Sequence, residues 1–217
     1  MPENNPRLIV DIVSDPVCPW CFVGIKSWGR ARQLLARDFE VITRFRPYQL
    51  NPDTPLSGTD RLAYYAKKFP DRAFLDKMIA QLKAAATEAG EAFDPMSAKW
   101  LPNTLNAHRV KRWAHFEGLQ EQLSDRLYTA FWKENADLGD AETLAKIAGD
   151  SGMDRERVLE DLNSDKDMVL VRGEADSFRK AGVSGVPTFI VNEQHGFSGA
   201  QSPENLVKTI KQAASIG

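Results

Sequence analysis

The sequence predicts an α/β protein in which one sheet domain is interrupted by an all-helical insertion, and three observations carry this. Residues 1–52 pass from a β-branched run to a helical spacing and back to a β-branched run. Residues 53–164 show helical spacing only, broken by short polar or glycine stretches. Residues 165–217 return to a helix, two short apolar runs and a final helix, so the two flanking parts form one discontinuous domain around the inserted one.

Each element has a local reason. Leu8 to Val13, "LIVDIV", is short, β-branched and broken by one acid, which suits a buried strand. From Pro19 the apolar residues Phe22, Ile25, Trp28, Ala31, Leu34 and Leu35 recur at three- and four-residue spacing, predicting a helix from Pro19 to about Arg37. Proline suits its first turn, where a missing N–H is no loss. Val41 to Leu50, "VITRFRPYQL", predicts a second strand, weakened toward its end by Pro47. Strand, helix and strand in this order predict a parallel βαβ unit. In the middle block, "RAFLDKMIAQLKAAATEAG", "NTLNAHRVKRWAHFEG", "LQEQLSDRLYTAFWKENA", "DAETLAKIAGDSG" and "DRERVLEDLNS" each read as helices. Trp113, Phe116, Tyr128, Phe131 and Trp132 are expected to form the core of this block. After it, "DKDMVLVRGEADSFRKAG" is a helix stopped at Gly182 and "VSGVPTFIVN" a strand. "HGFSGA" pairs with that strand through a connection at Asn192 to His195. "SPENLVKTIKQAAS" is a helix with Ser202 as N-cap and Pro203 at its first position.

Composition excludes several function classes. With 217 residues and 42% hydrophobic content the chain can bury a sizeable core. Lys plus Arg number 28 against 30 Asp plus Glu, a net charge of -2 with no long block of one sign, so nucleic acid is not an expected partner. The start, "MPENNPRLIVDIVSD", lacks the pattern of a secretory signal, and no stretch approaches the ~20 apolar residues of a membrane span. The expectation is a cytoplasmic protein without a membrane partner. In a reducing cytosol, close cysteines point to catalysis, redox sensing or metal binding rather than to a structural disulfide.

Cys18 and Cys21, the only cysteines, enclose Pro19 and Trp20. The spacing alone fits a redox couple, half of a metal site or two small core residues. The predicted helix start sharpens it. Cys18 falls just outside the helix N-terminus and Cys21 within the first turn, so the free N–H groups and positive end of the helix dipole favour an anionic Cys18 sulfur. Cys18 is then the nucleophile, and Cys21, turned under the first turn, resolves a mixed disulfide. Val186 and Pro187 offer a place to hold an extended substrate segment beside that sulfur if their peptide bond is cis, or else a trans proline opening a strand. Trp20, at the rim of the site, is expected to contact substrate.

Taken together, "SDPVCPWC", "NTLNAHR" and "GVSGVPTFIV" followed by "FSGAQSPE", in this order of elements, resemble the thioredoxin-fold DsbA superfamily, most closely its FrnE-like cytoplasmic oxidoreductases. The resemblance spans nearly the whole chain. It implies a thioredoxin core with a helical insertion, Cys18 and Cys21 as the redox pair, and Pro187 as a cis-proline facing them. It implies exchange with peptide or small-molecule thiols and disulfides. That chemistry requires no metal or organic cofactor, glutathione is a candidate redox partner, and the protein is expected to act as a monomer or a homodimer, between which the sequence does not choose. Related folds carry an acid in the first strand that moves protons for the resolving cysteine; Asp11 is the candidate here, one residue further from Cys18 than in the commonest pattern, and is otherwise a strand-end or solvated carboxylate. Two departures stand out. Trp20 replaces the histidine common between the cysteines and Asp15 adds a nearby negative charge, which together point to a less oxidising couple. The further cysteines of some FrnE relatives are missing.

Three functions fit these residues: dithiol-disulfide exchange, a glutathione-dependent isomerase or transferase of the hydroxychromene carboxylate isomerase and kappa-class type, and a zinc ion shared between two subunits. The second class generally keeps serine where Cys18 stands. His108, within "NTLNAHR", either lines the cleft or packs as a lone helical histidine ordinarily does, His115 and His195 are expected to be ordinary, and "SGAQSPE" is expected to be an ordinary helix cap rather than an anion site.

Overall fold

The computed structural model describes residues 5–215. Its main sheet has four strands, in the spatial order 40–47, 7–14, 188–191 and 195–198. Strand β1 (Arg7–Ser14) lies parallel to β2 (Glu40–Pro47), connected through helix α1 (Pro19–Leu35), which is the expected βαβ unit. Strands β5 (Thr188–Val191) and β6 (His195–Ser198) add antiparallel partners on the other side of β1. Asn192 and Glu193 turn that hairpin with φ of 49° and 61°, and the amide of Gln194 donates to the Val191 carbonyl at 3.0 Å.

Between the two parts of the sheet come α2 (Arg61–Lys68), α3 (Arg72–Glu88), α4 (Leu105–Phe116), α5 (Gln120–Glu134), α6 (Ala141–Asp150) and α7 (Arg155–Leu162). Helices α8 (Met168–Lys180) and α9 (Pro203–Ala214) flank the last two strands, with Ser202 capping α9 through the Asn205 amide. The α/β architecture with a helical insertion is as expected. The two-residue strands β3 (Thr59–Asp60) and β4 (Trp100–Leu101), which pair with each other, and α2 go beyond the sequence reading. Helix α2 is eight residues long, too short for its period to stand out, and its one local signal is Asp60, whose carboxylate caps the Ala63 amide at 2.7 Å.

Strand alternation assigns the faces of the sheet. Phe189, which sits opposite Ile12, packs its ring 6.2 Å from that of Trp28 on α1, so Ile12 and its alternate neighbours face α1. The other face carries Asp11, Arg44 and Arg46, and meets α8 through the Arg46–Glu174 ion pair. The open edge of β2 is closed by one side chain: Gln120 accepts from the Phe45 amide at 2.9 Å and donates to its carbonyl at 3.0 Å. Trp113, Tyr128, Phe131 and Trp132 are buried as expected, but Phe116, at the last position of α4, is 71% exposed. Nine residues after Ala107, Phe116 lies about half a turn round the helix from the buried stripe of Ala107, Val110 and Ala114, and so faces away from the core.

Candidate active site

Cys18 is the N-cap of α1, with extended backbone (φ -83°, ψ 118°) and Pro19 following as the first helical residue. Its amide donates to the Asp15 carbonyl at 3.0 Å and its carbonyl accepts from Phe22 at 3.1 Å, so a tight turn delivers the sulfur to the helix start. No side chain caps this terminus, which leaves the first-turn N–H groups free to face a sulfur carrying charge. Both cysteines are free thiols.

The Val186–Pro187 peptide bond is cis. Cys18 donates through Sγ to the Val186 carbonyl at 3.5 Å, so the two expected halves of the site, far apart in sequence, meet. Gly24 permits this approach: a Cβ there would lie 2.8 Å from Cγ of Pro187. The amide of Gly199 donates to the Pro187 carbonyl at 2.8 Å and fixes the far side of the proline.

Cys18 opens into a largely apolar cleft of about 210 Å³. Trp20, half-buried, forms its rim, while Tyr64, Tyr65 and Lys68 of α2 and Met78 and Ile79 of α3 supply the facing wall. That wall is braced by Arg61, fully buried in the first turn of α2. Its guanidinium donates to the carbonyls of Ala98 (3.0 Å) and Pro95 (2.7 Å) and to the Tyr65 hydroxyl (3.0 Å). Burial pushes the Tyr65 phenol above its ordinary range, and Arg61 partly offsets this. Neither residue was singled out in the sequence, because α2 itself was not.

Cys21 lies under the first turn with no exposed surface. Burial pushes its thiol well above the ordinary range, and the hydrogen bond and charge of the Cys18 sulfur push it further. Around it the interior is unusually polar. Asp15 is fully buried and its Oδ2 accepts from the Leu50 amide at 2.6 Å. His108 is buried, donates through Nε2 to the Tyr48 carbonyl at 3.1 Å, and lies 3.8 Å from Asp15 Oδ1. Burial lowers its basicity. His108 therefore packs beneath the site, while His115 is exposed and His195 half-buried.

Asp11 is not brought to the cysteines. Alternation along β1 turns it to the face opposite α1, where Arg44 (2.8 and 2.5 Å) and Arg46 (2.6 Å) engage both its carboxylate oxygens. Among the described residues no cluster of three or more His, Cys, Asp or Glu side chains could hold a metal ion. No helix among them is long and apolar enough to cross a membrane.

Residues 9–211 match the family model of the DSBA-like thioredoxin domain. The chain is 24% identical over 185 residues to the uncharacterized protein YwbO of Bacillus subtilis, covering 85% of this chain and 86% of that protein. Its fold is similar to that of a Streptomyces coelicolor protein described as a "probable DsbA oxidoreductase", with 26% identity, a TM-score of 0.83 and coverage of 96% and 91%. It is also similar in fold to the cytosolic disulfide reductase DsbM of Pseudomonas aeruginosa with GSH, with 15% identity, a TM-score of 0.65 and coverage of 95% and 99%.

Proposed function

Because the chain belongs to the DSBA-like thioredoxin domain family, we propose that it is a cytoplasmic thiol-disulfide oxidoreductase acting through the Cys18-Pro19-Trp20-Cys21 motif. The observation that carries this reading is the asymmetry of the two sulfurs. Cys18 lines the cleft at the start of α1, within reach of the Val186 backbone, whereas Cys21 is sealed beneath it as a protonated thiol. This asymmetry supports Cys18 as the nucleophile and Cys21 as the resolving cysteine.

The Cys18 sulfur attacks one sulfur of a substrate disulfide, with the partial positive charge of the helix terminus lowering the cost of its anionic form. One substrate thiol leaves and a mixed disulfide remains. Cys21 then attacks Cys18 Sγ and releases the second substrate thiol, leaving a Cys18–Cys21 disulfide. Two cysteines are oxidised and one disulfide is reduced; the reverse sequence oxidises substrate thiols. No metal or organic cofactor enters this chemistry, and glutathione is a reasonable redox partner. The apolar cleft suits peptide or small-molecule disulfides that carry an apolar body beside the sulfur, with Trp20 in contact with it and the Val186–Pro187 backbone alongside.

The roles are separable by trapping. With oxidised glutathione as the probe, the Cys21→Ser variant should accumulate a glutathione adduct on Cys18, read by intact mass, and the Cys18→Ser variant should accumulate none. An adduct on Cys21 in the absence of Cys18 at the same rate would overturn the assignment.

A further inference from the structure

Resting on the oxidoreductase reading, we propose that Lys68 makes the cleft beside Cys18 selective for disulfides whose ring-sized apolar body carries a carboxylate. The apolar walls seat the body, and the lysine at the end of α2 pairs with the carboxylate.

The size and lining of the cleft set the body. Drug-sized ligands occupy pockets of roughly 300–1,000 Å³. At about 210 Å³ this cleft is smaller and holds one substituted ring. Trp20, Tyr64, Tyr65 and Phe69 offer it aromatic faces, and Met78 a deformable thioether. Cys18 lines the same cleft, so a ring seated there brings its own sulfur to the nucleophile.

The charge of the cleft is one-sided. Among the described residues that line it are two cations, Arg61 and Lys68, and no aspartate or glutamate. Arg61 is fully buried, and its guanidinium donates to two carbonyls and the Tyr65 hydroxyl rather than to a carboxylate. Its Nε has no hydrogen-bond partner. A charge held this way is screened little by dissolved ions, so its field reaches into the cleft.

Lys68 is the exposed cation of the pair, at the last position of α2. Its Nζ donates to the Tyr64 hydroxyl at 3.1 Å. It stands 5.2 Å from the centre of the Tyr64 ring and 5.9 Å from that of Phe69, both of which line the cleft. The Tyr64 hydroxyl donates in turn to Asn51 Oδ1, on the same cleft, which fixes the ring that tethers the lysine. An ammonium has three donors, so others are left for a ligand oxygen. A helix C-terminus favours lysine in its last turn whatever its side faces. Lys67 shares that turn without lining the cleft, so the dipole explains both lysines and the cleft contact separates them.

The exchange balances with such a disulfide as the oxidant. The Cys18 sulfur attacks the sulfur of the seated half, the substrate S–S bond breaks, and the other half leaves as a thiolate with the electron pair. Cys21 then attacks Cys18 Sγ, the Cys18–Cys21 bond forms, and the seated half leaves as a second thiolate. The protons of the two cysteine thiols pass to solvent.

The test mixes the reduced full-length protein with two ring disulfides, the anionic dithiobis(nitrobenzoate) and the neutral dithiodipyridine, and follows the released thiolates by absorbance. The quantity read is the ratio of the anionic to the neutral rate constant, in which any change common to both probes cancels. Lys68→Gln should lower this ratio about fivefold, the effect of one ion pair in water. Lys67→Gln, with the same change in net charge, should leave it at the wild-type value. Added salt should lower the wild-type ratio toward that of Lys68→Gln. For the ring itself, benzoate should slow alkylation of Cys18 by iodoacetamide in the wild type, acetate at equal concentration should not, and Lys68→Gln should weaken the benzoate effect. A ratio unchanged in Lys68→Gln, an equal fall in Lys67→Gln, a salt-independent wild-type ratio, or protection by acetate equal to that by benzoate overturns the assignment while leaving the exchange chemistry intact. A wild-type protein that releases no thiolate from either probe overturns the oxidoreductase reading as well.

Discussion

Lys111 costs this fold stability at neutral pH. Burial lowers its amine from 10.5 to about 8, so the unfolded chain holds the proton more tightly, by about 3 kcal/mol. The penalty is complete below pH 8, shrinks as pH rises, and is gone above 10.5, where both states are neutral. Lys111→Met, close in volume and apolar, should therefore raise the unfolding free energy at pH 7 by about 2–3 kcal/mol, with the gain fading between pH 8 and 10.5. Urea denaturation of both proteins at pH 7 and pH 10 measures this, and a variant less stable than wild type at pH 7 contradicts it. The sequence carried a signal for this burial: Lys111 stands four residues after Ala107 and three before Ala114, on the face that α4 buries. A lysine on an apolar helical face is visible in the sequence, but only the fold shows that its amine is buried without a hydrogen-bond partner, against the rings of Phe45 and Tyr128. Asp11 illustrates the converse. A lone acid in an apolar strand looks functional, and one step of strand alternation puts it among arginines on the far side of the sheet.

At the scale of elements, the approach of α1 to the loop before β5 positions the chemistry. Gly24 lies in the helix interior, where alanine would ordinarily gain about 1 kcal/mol. Here its Cβ would meet the Pro187 ring at 2.8 Å, and the ring is too short and rigid to yield, so an overpacking cost of about 1–3 kcal/mol wins. Gly24→Ala should lower thermal stability and slow exchange at Cys18 by displacing Val186 from the sulfur, checked by calorimetry and the glutathione assay together. A variant as stable and active as wild type would show that the contact relaxes freely. Most elements were legible because their periods were long: α1 was placed to within two residues of its end, and the helices from α3 to α9 were each recognised. Strand β2 stops at Pro47, where the missing amide was already a warning. Helix α2 escaped because two turns give too little period, and with it went Arg61 and Tyr65, which build the wall of the cleft.

At the scale of the whole molecule, the insertion completes the site. Residues of α1, of the sheet and of the inserted helices α3 to α7 belong to one continuous hydrophobic cluster, so the cleft wall and the base of the site are held by the same core. The sequence revealed the order of elements and the two cysteines because both are local patterns. The meeting of Cys18 with Val186, 168 residues away, depends on packing that no local pattern encodes. The central claim concerns those two sulfurs, and the most direct measurement is a redox titration. The protein is equilibrated across a series of glutathione buffers, its free thiols are trapped by alkylation, and the mass of each chain is read. The account predicts one reversible transition in which both thiols of a single chain disappear together, with a midpoint less oxidising than that of relatives with histidine between the cysteines. Cysteines that alkylate at every potential, or that form disulfides only between chains, would contradict it.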